Sequence, residues 1–346
     1  MVRAEVSVWR RGAWTCVAAS LLLLTYTNTF KPLLHTPPRE THNLSFLESH
    51  LPWWDGGHCR CDGQVCVAEA TTEVSIKGAG GTCGRRSWAA GDKQRVVSLS
   101  LYGDNPDYWL GLKEILHQVG VMYPGWMVRL YTVPHAHATH LCPLLNLYTN
   151  FYVCDITNLP PPLGNISHVH PMMWRIAPLG DPQVTALMVR DSDSQVSERE
   201  RAAVKAWLES GKHFHVMRDH PSHDVHILGG MWGARWDQRL QYQRENALLL
   251  SSIRNEMLED AQGMTKYGED QQILTKRLWP LMVGRVLAHD SYCCLLFRGT
   301  TPWPTQRIDG YFVGSPSFRK EYKNQTVPKP CPVRCRPKQH RDWIYC

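Results

Sequence analysis

The apolar positions of this chain switch between two rhythms. Residues 96–102 (VVSLSLY) form a short run rich in β-branched and aromatic side chains, and the turn Gly103-Asp104-Asn105-Pro106 closes it. That combination predicts a strand. Apolar side chains then fall at 108, 109, 112, 115, 116 and 119, the spacing of one helix face. Residues 127–131 (MVRLY) read as a second strand. Strand, helix and strand within about 40 residues make a βαβ unit, which implies a parallel sheet. The alternation continues with strands over 151–154, 186–189, 214–217 and 286–288, and helices over 172–179, 197–210 and 270–279. The helix at 197 opens with Ser197-Glu198-Arg199-Glu200, a capping box. The pattern predicts an α/β domain over residues 95–314.

The flanks lack this periodicity. Residues 31–94 are broken by Pro37-Pro38, Gly56-Gly57, Gly80-Gly81 and four cysteines, and read as a stem. Residues 315–346 form a Cys-rich tail. Seven of the 12 cysteines lie in 59–83 and 331–346, where no large core is available. That points to disulfide staples. Cys59, Cys61 and Cys66 leave zinc as an alternative, although no second Cys-x2-Cys pair follows at zinc-ribbon spacing.

Residues 12–30 carry no charge and follow Arg10 and Arg11. As a helix they rise about 28 Å, enough for a thin bilayer. No small-x-small cleavage site follows the leucines. A transmembrane signal anchor is therefore expected, with a cleaved signal peptide as the alternative. The basic flank keeps residues 1–11 in the cytosol and puts the rest of a single-pass, type II chain in the lumen. Sequons at Asn43, Asn165 and Asn324 fit that topology. With Cys16 inside the span, an odd number of lumenal cysteines remains, so at least one is free or joins a disulfide-linked homodimer.

Composition narrows the function classes. Of the 346 residues, 43% are hydrophobic and 20% charged, which excludes a wholly disordered chain. The net charge of +7 contains no Lys/Arg block long enough for a nucleic-acid groove. The 14 tryptophans fill a core or line a sugar cleft. Serine hydrolases, P-loop ATPases and Rossmann dehydrogenases each lack their central motif here.

The sharpest chemical signal is Asp191-Ser192-Asp193, at the carboxyl end of a buried strand. Open α/β sheets place ligands there. Two carboxylates one residue apart converge on one hard divalent cation, Mn²⁺ or Mg²⁺. The other reading is a polar turn whose Ser194 or Ser197 caps the next helix. Of the histidines, His135, His137 and His140 have metal-like spacing but sit in a loop without a carboxylate. His213, His215, His220, His223 and His226 alternate through a strand and loop, where one or two touch a ligand.

The ordered runs Met172-Met173-Trp174-Arg175, Gly180-Asp181-Pro182, Arg190-Asp191-Ser192-Asp193-Ser194 and Ser197-Glu198-Arg199-Glu200 resemble nucleotide-sugar glycosyltransferases of the GT-A fold. So do Phe214–Pro221, Ile227-Leu228-Gly229-Gly230-Met231-Trp232-Gly233, Tyr267-Gly268-Glu269-Asp270-Gln271 and His289-Asp290-Ser291-Tyr292. Over 95–314 the chain is similar to bacterial surface-polysaccharide transferases and their animal Golgi-type relatives. The resemblance implies a GT-A-like (Rossmann-like) mixed, mostly parallel sheet flanked by helices, a UDP- or GDP-sugar donor and a glycan acceptor. It places the protein in the Golgi or ER membrane. It implies that Asp191 lies near the ribose and metal, that Asp193 binds the metal directly, and that His289 is a third ligand. Arg175 would orient the carboxylates or meet a phosphate. Gly229 and Gly230 would let backbone approach the donor sugar. Asp270-Gln271 resembles the Asp-Gln of retaining galactosyltransferases and glycogenin-like enzymes, with Asp270 an acceptor-side carboxylate or general base. That family carries Asn-Ala-Gly where this chain has Leu228-Gly229-Gly230, so retaining and inverting outcomes both stay open. The rival reading is an inactive relative that binds carbohydrate or acts as a scaffold; retention of both Asp191 and Asp193 favours the enzyme.

Overall fold

A computed structural model describes residues 51–63, 65–69, 81–236, 240–322 and 325–346. The apolar run at 12–30 and the sequons at Asn43 and Asn324 lie outside the described residues. Among the described residues no helix is long and apolar enough to cross a membrane.

The chain opens with an antiparallel hairpin, β1 (Cys59–Asp62) and β2 (Val65–Ala68), followed by the short helix α1 (Arg85–Ala89). Then come β3 (Gln94–Ser100), α2 (Pro106–Met122), β4 (Met127–Thr132), α3 (Ala138–Leu147) and β5 (Phe151–Asp155). The single turn α4 (Pro171–Trp174) precedes β6 (Val184–Arg190), α5 (Glu198–Glu209), β7 (Phe214–Arg218) and β8 (Met231–Arg235). The chain continues through α6 (Leu240–Asp260), α7 (Glu269–Arg277), α8 (Trp279–Met282) and β9 (Val286–Asp290).

Seven strands form one sheet in the order β5-β4-β3-β6-β8-β7-β9. Every pairing is parallel except those of β8, which runs antiparallel to both neighbours. The expected mixed, mostly parallel sheet is what forms. Its inner strands are buried on both faces, which is why they read as continuous apolar runs. α2 starts where the sequence marks it. Asn105 Oδ1 accepts from the Asp107 amide at 3.0 Å, Pro106 takes the first turn, and Leu112, Ile115, Leu116 and Val119 bury one face. At α5 only half of the capping box forms. Ser197 Oγ accepts from the Glu200 amide at 3.2 Å, but the Glu200 carboxylate turns inward to Arg190 Nε at 2.6 Å.

Several expectations change. The helix expected over 172–179 is one turn, because Pro178 and the left-handed Gly180 (φ 78°) follow it. His135 and His137 lie in a 3-10 turn; His135 is exposed as expected, but His137 is buried, its ring 4.0 Å from that of Trp109. The expected disulfide staples do form, and the zinc alternative falls: Cys61 bonds Cys66 across the hairpin, and Cys59 bonds Cys142 on α3. Further bonds join Cys83 to Cys154, Cys294 to Cys335 and Cys331 to Cys346. Cys293 is the free cysteine among the described residues, half-buried, with its thiol pushed up to about 11 chiefly by burial.

Parts of both flanks belong to the α/β body. Trp53 and Trp54 are buried among α2 and α3 side chains, so residues 51–62 pack onto the domain rather than extending from it. In the tail, the Cys346 carbonyl accepts from Arg199 Nη2 at 2.6 Å and from Arg307 Nη2 at 3.2 Å.

Candidate active site

Sheet order fixes where a ligand fits. The chain moves outward from β3 to β4 and β5, then returns so that β6 lies on the other side of β3. The loops leaving β3 and β6 therefore diverge, and a crevice opens beyond their carboxyl ends. A cavity of about 870 Å³ occupies that place. It brings together Asp191, Asp193, Arg175, Gly229, Gly230, Asp270 and Gln271, seven residues singled out from the sequence.

Arg175 is the centre of the cluster. It follows α4, and its carbonyl accepts from Ser98 Oγ of β3 at 2.7 Å, which fixes the backbone to the sheet. Its side chain is 4% exposed. Nη1 donates to Asp191 Oδ1, and Nη2 donates to Asp270 Oδ2 at 3.2 Å. Asp270 comes from the first turn of α7, where a carboxylate also faces the helix dipole. Burial raises the Asp270 pKa, Arg175 opposes the shift and the Asp191 charge adds to it. Among the described residues Asp270 Oδ1 has no hydrogen-bond partner.

Asp193 sits beside this cluster without an ion pair of its own among the described residues. Its pKa rises to about 6, first through burial and then through the nearby charge of Asp191. Two carboxylates crowded in this way have the hard oxygen atoms that Mn²⁺ or Mg²⁺ takes, and the donor pair fits such an ion.

Gly229 and Gly230 also lie hard against the charged cluster. A Cβ at Gly229 would collide with the Asp270 carboxylate and with Arg175 Nη2. One at Gly230 would collide with the Asp191 carboxylate. Gly229-Gly230 thus makes room for the protein's own charged cluster.

His289 does not join the carboxylates. It lies in β9, 1% exposed, with Nδ1 2.9 Å from His215 Nε2 and its ring 5.5 Å from that of Trp303. The strand end it was placed on delivers its side chain to the core, and its assignment as a third metal ligand is corrected accordingly. Among the described residues no His, Cys, Asp or Glu completes a three-ligand set with Asp191 and Asp193.

Sequence reasoning missed part of the cavity wall. Tyr102, Tyr108, Tyr267 and Phe312 supply aromatic surface and Arg319 a guanidinium, while His220 and His223, two of the alternating histidines of which one or two were expected to touch a ligand, also line it. Tyr102 was legible as the last residue of a strand before a Gly turn; Phe312 and Arg319 carried no signal. His213, His215 and His226 do not line the cavity. Among the described residues the tryptophans do not either: Trp207, Trp232, Trp236 and Trp303 are buried in the core.

No family model and no curated protein matches this chain. Solved structures do match. One is a glycosyltransferase involved in the glycosylation of the major capsid of PBCV-1, 15% identical, covering 57% of this chain and 83% of that one at a TM-score of 0.34. Another is S. aureus TarS 1-349, 13% identical, covering 56% of this chain and 57% of that one at a TM-score of 0.36. A third is the galactosyltransferase LgtC in complex with donor and acceptor sugar analogs, 16% identical, covering 57% and 73% at a TM-score of 0.32. Overlap this loose does not carry the activity of those proteins to this chain.

Proposed function

We propose that the chain is a GT-A-like glycosyltransferase that moves a sugar from a UDP- or GDP-sugar to a hydroxyl of a glycan or glycoconjugate, with Mn²⁺ or Mg²⁺. One observation supports this most: the Asp191–Arg175–Asp270 bridge, beside Asp193, at the point where the parallel sheet opens. The chemistry follows from charge. Three carboxylates against the Arg175 guanidinium leave the cluster negative, so a diphosphate is repelled unless a cation accompanies it. Asp191 and Asp193 would hold a divalent ion, which would supply charge neutralisation for a departing diphosphate. Arg175 holds Asp191 and Asp270 at fixed orientation, so the cluster is arranged before substrate arrives. Asp270, with an unpartnered oxygen and a raised pKa, accepts the acceptor hydroxyl's proton or faces the transferred sugar.

The test is donor binding by the purified full-length protein, read as a thermal shift with a panel of UDP- and GDP-sugars, with and without MnCl₂. A metal-dependent shift with at least one donor, followed by its hydrolysis or transfer, is the expected result. No donor bound under either condition sinks the reading.

We further propose that the protein works in the lumen of the Golgi or ER, anchored by residues 12–30. The five disulfides support an oxidising compartment. Endoglycosidase should increase the mobility of the expressed chain. A cytosolic C-terminus in a protease-protection assay would refute the orientation.

A further inference from the structure

A second cavity of about 970 Å³ adjoins the first. Two elements divide the pair. The first turn of α2 turns Asn105 and Tyr108 to the candidate active site, and Asp107 and Leu110 to the second cavity. The segment 312–320 does the same. Gly314, Pro316 and Arg319 border the active site, Ser315, Ser317 and Phe318 border the second cavity, and Phe312 borders both. This partition is fastened to the chemistry. The Phe318 amide donates to the Asp193 carbonyl at 3.1 Å, and the Val313 amide donates to Asp219 Oδ2 at 3.0 Å. Arg319 lies 5.9 Å from the centroid of the Tyr108 ring, across the gap between partition and helix.

The lining says what kind of molecule fits. Gln195, Gln306 and Ser317 put amide and hydroxyl side chains on the cavity wall. Tyr311, Phe312 and Phe318 add ring surface, and Leu110 and Ile308 stand 72% and 75% exposed at the edge. The charges are acidic in balance. Glu198 pairs with Arg201, and Arg199 pairs with Asp219. That leaves Asp107, Glu114 and Asp309 against Lys320, which disfavours phosphate, sulfate or uronate groups. Aromatic faces for C–H surfaces, amide and hydroxyl side chains and surplus carboxylate acceptors together match a neutral, polyhydroxylated ligand.

We propose that the second cavity binds neutral saccharide and holds the acceptor glycan at sugar units remote from the reacting hydroxyl. The proposal rests on the glycosyl-transfer reading for the word acceptor, but the saccharide site itself stands on its own residues. With the partition tied to the Asp193 backbone, a glycan seated there leads past Phe312 toward the active site. The protein therefore favours oligosaccharide acceptors over single sugars.

An array of neutral and sulfated oligosaccharides, probed with the purified full-length protein, tests this. The expected result is retention of neutral oligosaccharides, weakened about tenfold by Tyr311→Ala and by Leu110→Ala, and unchanged in Asp193→Ala. Retention that Tyr311→Ala and Leu110→Ala leave intact, a preference for sulfated glycans, or no glycan retained overturns the proposal. Donor binding on the same preparation is a separate readout. A protein that binds donor but no neutral glycan loses this inference alone, and one that binds glycan but no donor loses the transferase reading alone.

Discussion

One methyl group at Gly229 or Gly230 is enough to break the charged cluster. The Asp270 carboxylate and Arg175 lie where a Gly229 side chain would begin, and the Asp191 carboxylate lies where a Gly230 side chain would begin. Backbone on that side cannot yield cheaply, since β8 follows at once between β6 and β7. Gly229→Ala should therefore displace Arg175 or Asp270, destabilise the fold by about 1–3 kcal/mol and abolish transfer; melting and donor-hydrolysis assays check both halves. A Gly229→Ala protein with normal transfer would mean that the cluster is not the working one. Asp193 makes the opposite prediction for stability. Asp193→Ala should lower transfer by about 10²–10³-fold, because a charge-stabilising group is lost. Yet in chelator Asp193→Asn should melt no lower than the parent, because burial and Asp191 already disfavour its charge. Melting well below the parent would make Asp193 a structural residue. The two aspartates were legible from their strand-end position alone. That Arg175 orients the carboxylates was expected from the resemblance, but its bond to Asp270 was not legible, because the two are 95 positions apart and only tertiary packing joins them.

At the scale of elements, the sequence announced whatever had a clear period or a cap. β3, α2, β4, β5, β6, α5, β7, α7 and β9 stand within a few residues of their expected places. β8 escaped because its glycine, Gly233, leaves too few branched side chains in five residues to look like a strand; that glycine is needed because Trp207 and the Leu187 carbonyl lie where a Cβ would go. α3 escaped because Pro143 sits inside it and histidines lead into it. Disulfide pairing was open from the sequence, since spacing does not set connectivity. The structure ties the segment before β3 to β5 through Cys83–Cys154, two cysteines 71 residues apart. Closing a loop of that length removes unfolded-state entropy worth up to about 4 kcal/mol. The double variant Cys83→Ser/Cys154→Ser should therefore lose a few kcal/mol in denaturant melts while keeping donor binding, because neither cysteine lines the cavity. Undiminished stability would mean that the edge strand holds itself.

For the whole molecule, buried histidines set a limit that the sequence could not show. His215 and His289 are 0% and 1% exposed, bonded to each other at 2.9 Å, with His215 stacked on Trp207. Burial holds the His215 pKa well below its ordinary value, helped by His289, and burial lowers His289 to about 4, helped by Arg199. Folded, both stay neutral; unfolded, both take protons below pH 6.5. Their contribution is therefore complete above pH 6.5 and is lost as pH falls toward 4, at up to about 1.4 kcal/mol per unit for each. Asp193 acts in the reverse sense. Its raised pKa lets the folded state take a proton between about 6 and the ordinary carboxylate value, which returns some stability in the same window. Buried His223, lowered to about 3 chiefly by burial, adds to the histidine side, and Asp270, raised by burial, adds to the carboxylate side, so stability should fall by a few kcal/mol from pH 7 to pH 5 and Tm by several degrees. Below pH 4 a second loss begins. Asp219 is buried, which alone would raise its pKa, but Arg199 and Arg307 hold it below its usual range, so its stabilisation disappears as it is protonated. Removing the offset isolates the histidines: Asp193→Asn should steepen the fall between pH 6 and pH 5. Melting in chelator at half-unit steps from pH 7.5 to 4.5 measures both slopes. Equal slopes in parent and variant would show that Asp193 titrates as an ordinary carboxylate, and a flat parent curve would show that the histidine pair reaches water.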